Sequence, residues 1–198
     1  MNTRHRSIRY PTLLLIGLTV LAALSRLLPH PPNVSPIAAL ALLGGATLSF
    51  PWSFVLPTTA MLLSDLILGF DRFPITLSVY GSFCATVALG RWIKGHQGPW
   101  SLLGASLGSS VIFYLITNAA VWWFSGMYQR TGSGLILSYV FALPFFRHTL
   151  LGDLAYTFTL FLSVWHLPQV FFITRWRAQP SVRSQHTPVL PASAHDVP

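Results

Sequence analysis

The sequence predicts an all-α integral membrane protein: a bundle of six transmembrane helices with both termini in the cytoplasm. Three observations lead there. Hydrophobic residues make up 53% of the 198, and charged residues only 8%, against roughly 25% in a soluble domain. All four acidic residues are Asp; there is no Glu, which a water-facing helical surface would carry in number. The apolar residues fall into runs close to the length of about 20 that a membrane-spanning helix needs.

The first run covers residues 11–28 and stops at PHPPN, where three prolines forbid continuation. Arg4, Arg6 and Arg9 precede it in the manner of a signal peptide. The run is long enough to span, however, and no small-x-small cleavage site follows, so it is read as the first helix. The second run, 36–50, contains AALALLGGA and is short, which places it askew or deep in the bundle. The third, 52–70, holds Pro57 in its interior, a position that predicts a kink. The fourth is 74–93 and the fifth 100–124. In the fifth, Gly104 and Gly108 lie four apart with Ser106 and Ser110 beside them. That spacing permits close helix approach and is read as internal packing rather than a dimer face. The sixth run is 145–166, with 170–173 extending it beyond Pro168. A long connection holding Tyr128, Gln129, Arg130 and Tyr139 is expected before it. Residues 1–173 thus form the transmembrane domain. Residues 174–198, polar and carrying Pro180, Pro188, Pro191 and Pro198, are expected to be a disordered cytoplasmic tail.

Lys and Arg counts orient the helices. With the N-terminus inside, Arg4, Arg6, Arg9, Arg91, Lys94, Arg175, Arg177 and Arg183 lie on the inner side. Arg26, Arg72, Arg130 and Arg147 lie on the outer side. The net charge of +8 is spread singly between apolar runs, with no basic stripe and no basic-aromatic patch, so nucleic acid is not the expected partner. A single cysteine excludes an internal disulfide and any CxxC metal site.

The outer side collects the unusual polar residues: Arg26, His30 and Asn33 after the first helix, Asp71 and Arg72 after the third. Tyr128 and Arg130 follow the fifth, and the segment LPFFRHTLLGD with Arg147 and His148 leads into the sixth. Below them, Asp65, Asn118 and Asp153 sit within the helices. Asp153 is eight residues past Phe145, and Cys84 ten past Pro74, depths of about 12 and about 15 Å. Tyr80 precedes Cys84 by one turn and shares its face. An ionisable group in a membrane helix costs on the order of 3 kcal/mol, so it normally faces a cavity or a partner. Two carboxylates and an amide at similar depth suggest a polar pocket entered from outside. Each residue also has a structural reading. Asp65 can pair with Arg26 or Arg147, and Asn118 can bridge helices. His30 can be a turn residue, and Trp122 and Trp123 an aromatic belt. Cys84 can be inert packing. No HExxH, GxSxG or Walker loop is present and too few carboxylates exist for a metal cage, so no enzyme is expected. Transport would need a gradient, a partner ATPase or binding-driven toppling in the membrane.

The segments SRLLPHPPNVSPIAALALLGGA, LLSDLILGF, NAAVWWF and SYVFALPFFRHTLLGDLAY resemble the solitary cobalamin-specific S-components of energy-coupling-factor vitamin transporters, over roughly residues 20–160. The resemblance implies a bacterial inner-membrane protein that binds vitamin B12 in an outward-facing pocket. It implies Cys84 as the ligand of the cobalt in bound cobalamin, a soft thiolate suiting a transition metal. Thiolate-assisted decyanation of cyanocobalamin would then be a side activity, with no dedicated catalytic cofactor. Tyr80, Asp71, Asp65, His30, Asn33, Asn118, Tyr128, Arg147 and Asp153 become the remaining candidate substrate contacts. Family members that share an ATP-driven module carry AxxxA on the first helix. Here Thr19 and Ala23 offer only a weak version, implying a solitary protein without a dedicated module. Two alternatives stay open. One is an S-component for a flavin, thiamine or queuosine precursor. The other is a structural membrane protein with no small ligand.

Overall fold

The computed structural model describes residues 12–29, 33–96 and 98–177. His30 and residues 178–198, most of the expected tail, lie outside the described residues. Among the described residues there are six α-helices: α1 (Thr12–Ser25), α2 (Ile37–Thr47), α3 (Trp52–Leu68), α4 (Phe73–Trp92), α5 (Pro99–Phe124) and α6 (Gly132–Arg177). Among the described residues there is no strand. The chain divides into two compact units, Met1–Ser163 and Val164–Pro198. Everything below concerns the first.

The first five helices follow the apolar runs, and breakers set their ends. Pro36 and Pro51 sit at the N-caps of α2 and α3, and Pro99 opens α5. Gly69 ends α3 at φ +93°, a left-handed conformation that glycine adopts without strain.

Helix α6 departs from expectation. It begins at Gly132, not at Phe145, so the connection after α5 spans only residues 125–131. Thr131 supplies the cap: its Oγ1 accepts the Gly134 N–H at 3.2 Å and its carbonyl accepts the Leu135 N–H at 3.0 Å. The turn is tight, since a Cβ at Gly134 would lie 2.0 Å from the Gln129 carbonyl oxygen. Pro144, expected just ahead of the sixth helix, lies inside it. Proline removes one backbone hydrogen bond there, a loss that membrane-type helices tolerate. Tyr139 and LPFFRH are therefore helical, and α6 continues past residue 173.

Three helical stretches are long and apolar enough to cross a membrane: Phe73–Trp92, Pro99–Phe124 and Gly132–Val164. The last has 33 residues and spans about 50 Å. That exceeds the roughly 30 Å hydrocarbon thickness, so it tilts or projects. α1, α2 and α3 are shorter, at 14, 11 and 17 residues.

α2 is the centre of the bundle. Every residue from Ile37 to Ala46 is buried, with α3, α4, α5 and α1 around it. A helix apolar on all sides has no face to give to water and is stable only when enclosed. Its small residues permit the enclosure. A Cβ at Gly45 would lie 2.2 Å from the Val87 carbonyl oxygen, and one at Gly90 2.4 Å from the Leu42 carbonyl oxygen. α2 and α4 thus touch backbone to backbone. Gly44 meets α3 in the same way, at 3.0 Å from the Ser53 carbonyl oxygen. The Gly104/Gly108 pair does not make the closest approach: Gly104 meets nothing within 4 Å, and Gly108 only the Leu89 side chain at 3.2 Å.

Replacing Gly45 or Gly90 by Ala is expected to destabilise the bundle by about 1–3 kcal/mol or more, because backbone rather than a side-chain tip must move. Gly81→Ala, with open space around it, is expected to be near neutral. Thermal unfolding of the purified variants in detergent checks the contrast.

Candidate functional site

The charged groups are positioned by the ends of three helices. Arg26 follows α1 directly, Asp65 lies in the last turn of α3, and Tyr80 lies two turns into α4. The Arg26 Nη1 group donates to Asp65 Oδ1 at 2.6 Å and also to Ser64 Oγ. Its two N–H donors serve both. Tyr80 Oη donates to Asp65 Oδ2 at 2.9 Å. Both carboxylate oxygens are therefore engaged, and Asp65 is 7% exposed. Of the two partners considered for Asp65, Arg26 holds it. Arg147 is exposed on α6. This is the one ion pair among the described residues. It ties α1, α3 and α4 together at the end where α3 turns into α4.

The other candidate residues do not converge on that point. Asp71 and Asn33 are exposed in turns, Asn33 at φ +63°. Tyr128 is half-buried in the α5–α6 turn. Asn118 donates from Nδ2 to the Tyr114 carbonyl of its own helix at 2.8 Å, so it does not bridge helices through its side chain. Cys84 is exposed on α4, on a face it shares with Leu77, Gly81 and Ala88. It does not lie in the core. At the α3–α4 turn, Arg72 donates to the Phe124 carbonyl at 3.0 Å. Arg130 donates to the Trp123 carbonyl at 3.1 Å and stacks over that indole at 5.2 Å.

Asp153 occupies a second polar region, the seam between α5 and α6. It is 3% exposed and accepts from Ser110 Oγ at 2.6 Å. Tyr114 donates to the Tyr139 carbonyl at 2.7 Å and Tyr139 to the Leu115 carbonyl at 2.9 Å, closing the half of the seam near the α5–α6 turn. Sequence reading took Ser110 for packing and did not mark Ser64. Ser64 stands next to Asp65 in the sequence, but Ser110 meets Asp153 from a different helix, which no spacing within one helix shows.

An open groove of about 470 Å³ lies elsewhere, between α1 and α3, with Ile16, Thr19, Val20, Trp52 and Leu56 on its walls. None of the candidate binding residues lines it. Among the described residues no three His, Cys, Asp or Glu side chains gather as a metal-binding group.

Fold and site together define a helical protein with three membrane-length helices, a charged clasp at one end and a polar seam within. The chain belongs to a family of unknown function, DUF6580, whose model matches residues 6–176. No curated protein and no solved structure matches it.

Arg26→Ala and Asp65→Ala are each expected to cost about 1.5–3 kcal/mol, the range for charge-assisted hydrogen bonds. The Arg26 side chain keeps 22% exposure, which holds the loss below the about 3–5 kcal/mol of a fully buried pair. The double variant should cost less than the sum, and unfolding of all three proteins against wild type measures the coupling.

Proposed function

We propose that the protein is a solitary S-component-type transporter of the bacterial inner membrane that takes up a vitamin, with cobalamin as the favoured substrate. All six helices contribute to the crossing and both termini are cytoplasmic. α2, about 16 Å long, covers half the bilayer. Its buried residues, Ile37 to Ala46, are enclosed by the neighbouring helices, which carry the crossing around it.

The observation that supports this reading most directly is the exposure of Cys84. Inert packing, the ordinary role of a lone cysteine, calls for burial. This thiol instead stands on an open surface of α4: a Cβ at neighbouring Gly81 would meet nothing within 4 Å. A thiolate there would be free to serve as a ligand to the cobalt of a bound corrinoid. Tyr80, one turn away, is held by Asp65 and would border the ligand. Exposed Asp71, Asn33 and Arg147 supply polar contacts for an amide-bearing rim.

A second reading, a structural membrane protein without a small ligand, is favoured by one observation. The Arg26–Asp65–Tyr80 clasp is internally satisfied and needs no ligand to complete it.

Purified protein titrated with cobalamin is expected to shift the visible corrinoid spectrum, and Cys84→Ala to remove that shift while the protein stays folded. An unchanged spectrum in the variant overturns the cobalt assignment. Growth of a B12-requiring strain on scarce vitamin, carrying wild type or empty vector, tests uptake. No difference, with the protein present in the membrane, favours the structural reading. Mass spectrometry of co-purified small molecules separates cobalamin from a flavin, thiamine or queuosine precursor.

A further inference from the structure

The α5–α6 seam holds a buried acid without a cationic partner. Asp153 is 3% exposed, and its hydrogen-bond partner, the Ser110 hydroxyl, carries no charge. The ion pair among the described residues is Arg26–Asp65, on other helices. A lone carboxylate enclosed between membrane helices is costly unless a counter-charge is supplied.

Two further groups bear on the same place. Ser106 Oγ and Thr157 Oγ1 are fully buried and make no hydrogen bond. Most hydroxyls in these helices return to a carbonyl three or four residues back, as in Thr117 to Phe113 and Thr149 to Phe145. These two do not. Their position follows from the register. α5 and α6 are antiparallel neighbours, joined by Ser138 Oγ to the Asn118 carbonyl at one end of the seam and by Ser110 to Asp153 further along. Ser106 is one turn before Ser110, and Thr157 one turn after Asp153. Both steps run in the same direction along the seam, and each keeps to the face of its own helix that makes the Ser110–Asp153 contact, so the two free hydroxyls lie one turn beyond it. Ser110 has a single proton and two acceptors within reach, Asp153 Oδ2 at 2.6 Å and the Ser106 carbonyl at 3.1 Å. Donating to one leaves its lone pairs open.

We infer that Ser106, Ser110, Asp153 and Thr157 form a binding site for a dehydrated monovalent cation, sodium being the ion whose size and hardness suit them. The donors are all oxygen, one carboxylate and three hydroxyls, the set that hard cations take. One carboxylate balances one positive charge. A divalent ion would leave an uncompensated charge in the membrane interior. Helix-seam sites of this kind, well inside the bilayer, are where coupling ions bind in gradient-driven transporters. The site stands apart from Cys84 and from any vitamin, so it is tested without one.

The test uses the full-length protein in detergent micelles, unfolded thermally in NaCl, KCl and choline chloride at equal ionic strength. Sodium is expected to raise the midpoint saturably over choline, with potassium weaker. Ser106→Ala and Thr157→Val each remove one donor. Each should weaken the apparent sodium affinity by about tenfold, one ligand's contribution, with little change of midpoint in choline. Asp153→Asn should abolish the sodium increment. Equal midpoints in all three salts overturn the proposal and leave a polar packing seam only. So does a sodium increment that survives unchanged in both Ser106→Ala and Thr157→Val, an outcome that stays readable even if Asp153→Asn does not fold.

Discussion

The bundle depends on the backbone contact between α2 and α4. Gly45 and Gly90 bring Val87 and Leu42 carbonyls to where a Cβ would stand. With that approach, an eleven-residue helix is surrounded on every side, and its apolar surface is fully used. Without it, α2 would keep an unsatisfied face and α4 would move outward. The consequence reaches the clasp. The α4 position set at Gly90, near its end, also sets Tyr80 in its first half, within 2.9 Å of Asp65.

Polar groups are common in this core and are handled in two ways. Serines and threonines on α3, α4 and α5 mostly close onto carbonyls of their own helix, as Ser64, Ser82, Thr86 and Thr117 do. Such bonds satisfy the hydroxyl without asking anything of a neighbouring helix. The carboxylates cannot be handled locally. Asp65 draws on Arg26 and Tyr80 from two other elements, and Asp153 draws on Ser110 across a helix seam. Ser53, Ser106 and Thr157 are buried hydroxyls with no partner among the described residues. Two of those three flank the acid that lacks a counter-charge.

The site was legible in the sequence to the extent that rarity marks function or strain. With four acids in the chain, Asp65 and Asp153 stood out at once, and Arg26 was one of two partners considered for Asp65. What the residues do to one another was not legible. Asp65 and Asp153 looked like two walls of one pocket because their depths matched, yet they belong to different helix contacts. Depth along a helix can be counted from a sequence, but rotation about its axis relative to neighbours cannot. The same limit hid which face of α4 carries Cys84: the count put it about 15 Å along the helix, and the structure shows it exposed.

Apolar run lengths, prolines and glycines by themselves determined six helices, their order and most of their ends. A run without charges can form little else, and a proline or a positive-φ glycine stops it locally. The shortness of the second run placed it askew or deep in the bundle, and the structure encloses it. The tertiary structure decided three things. It extended α6 back through Pro144 to Gly132, because packing of Tyr139 and Ser138 on α5 outweighs one lost backbone bond. It chose Gly45 and Gly90 over Gly104 and Gly108 as the close contact, since only the facing helix determines which glycine is needed. It sorted the polar residues into a clasp and a seam, because a side chain's partner is set by how helices rotate and pair, and no single helix carries that information.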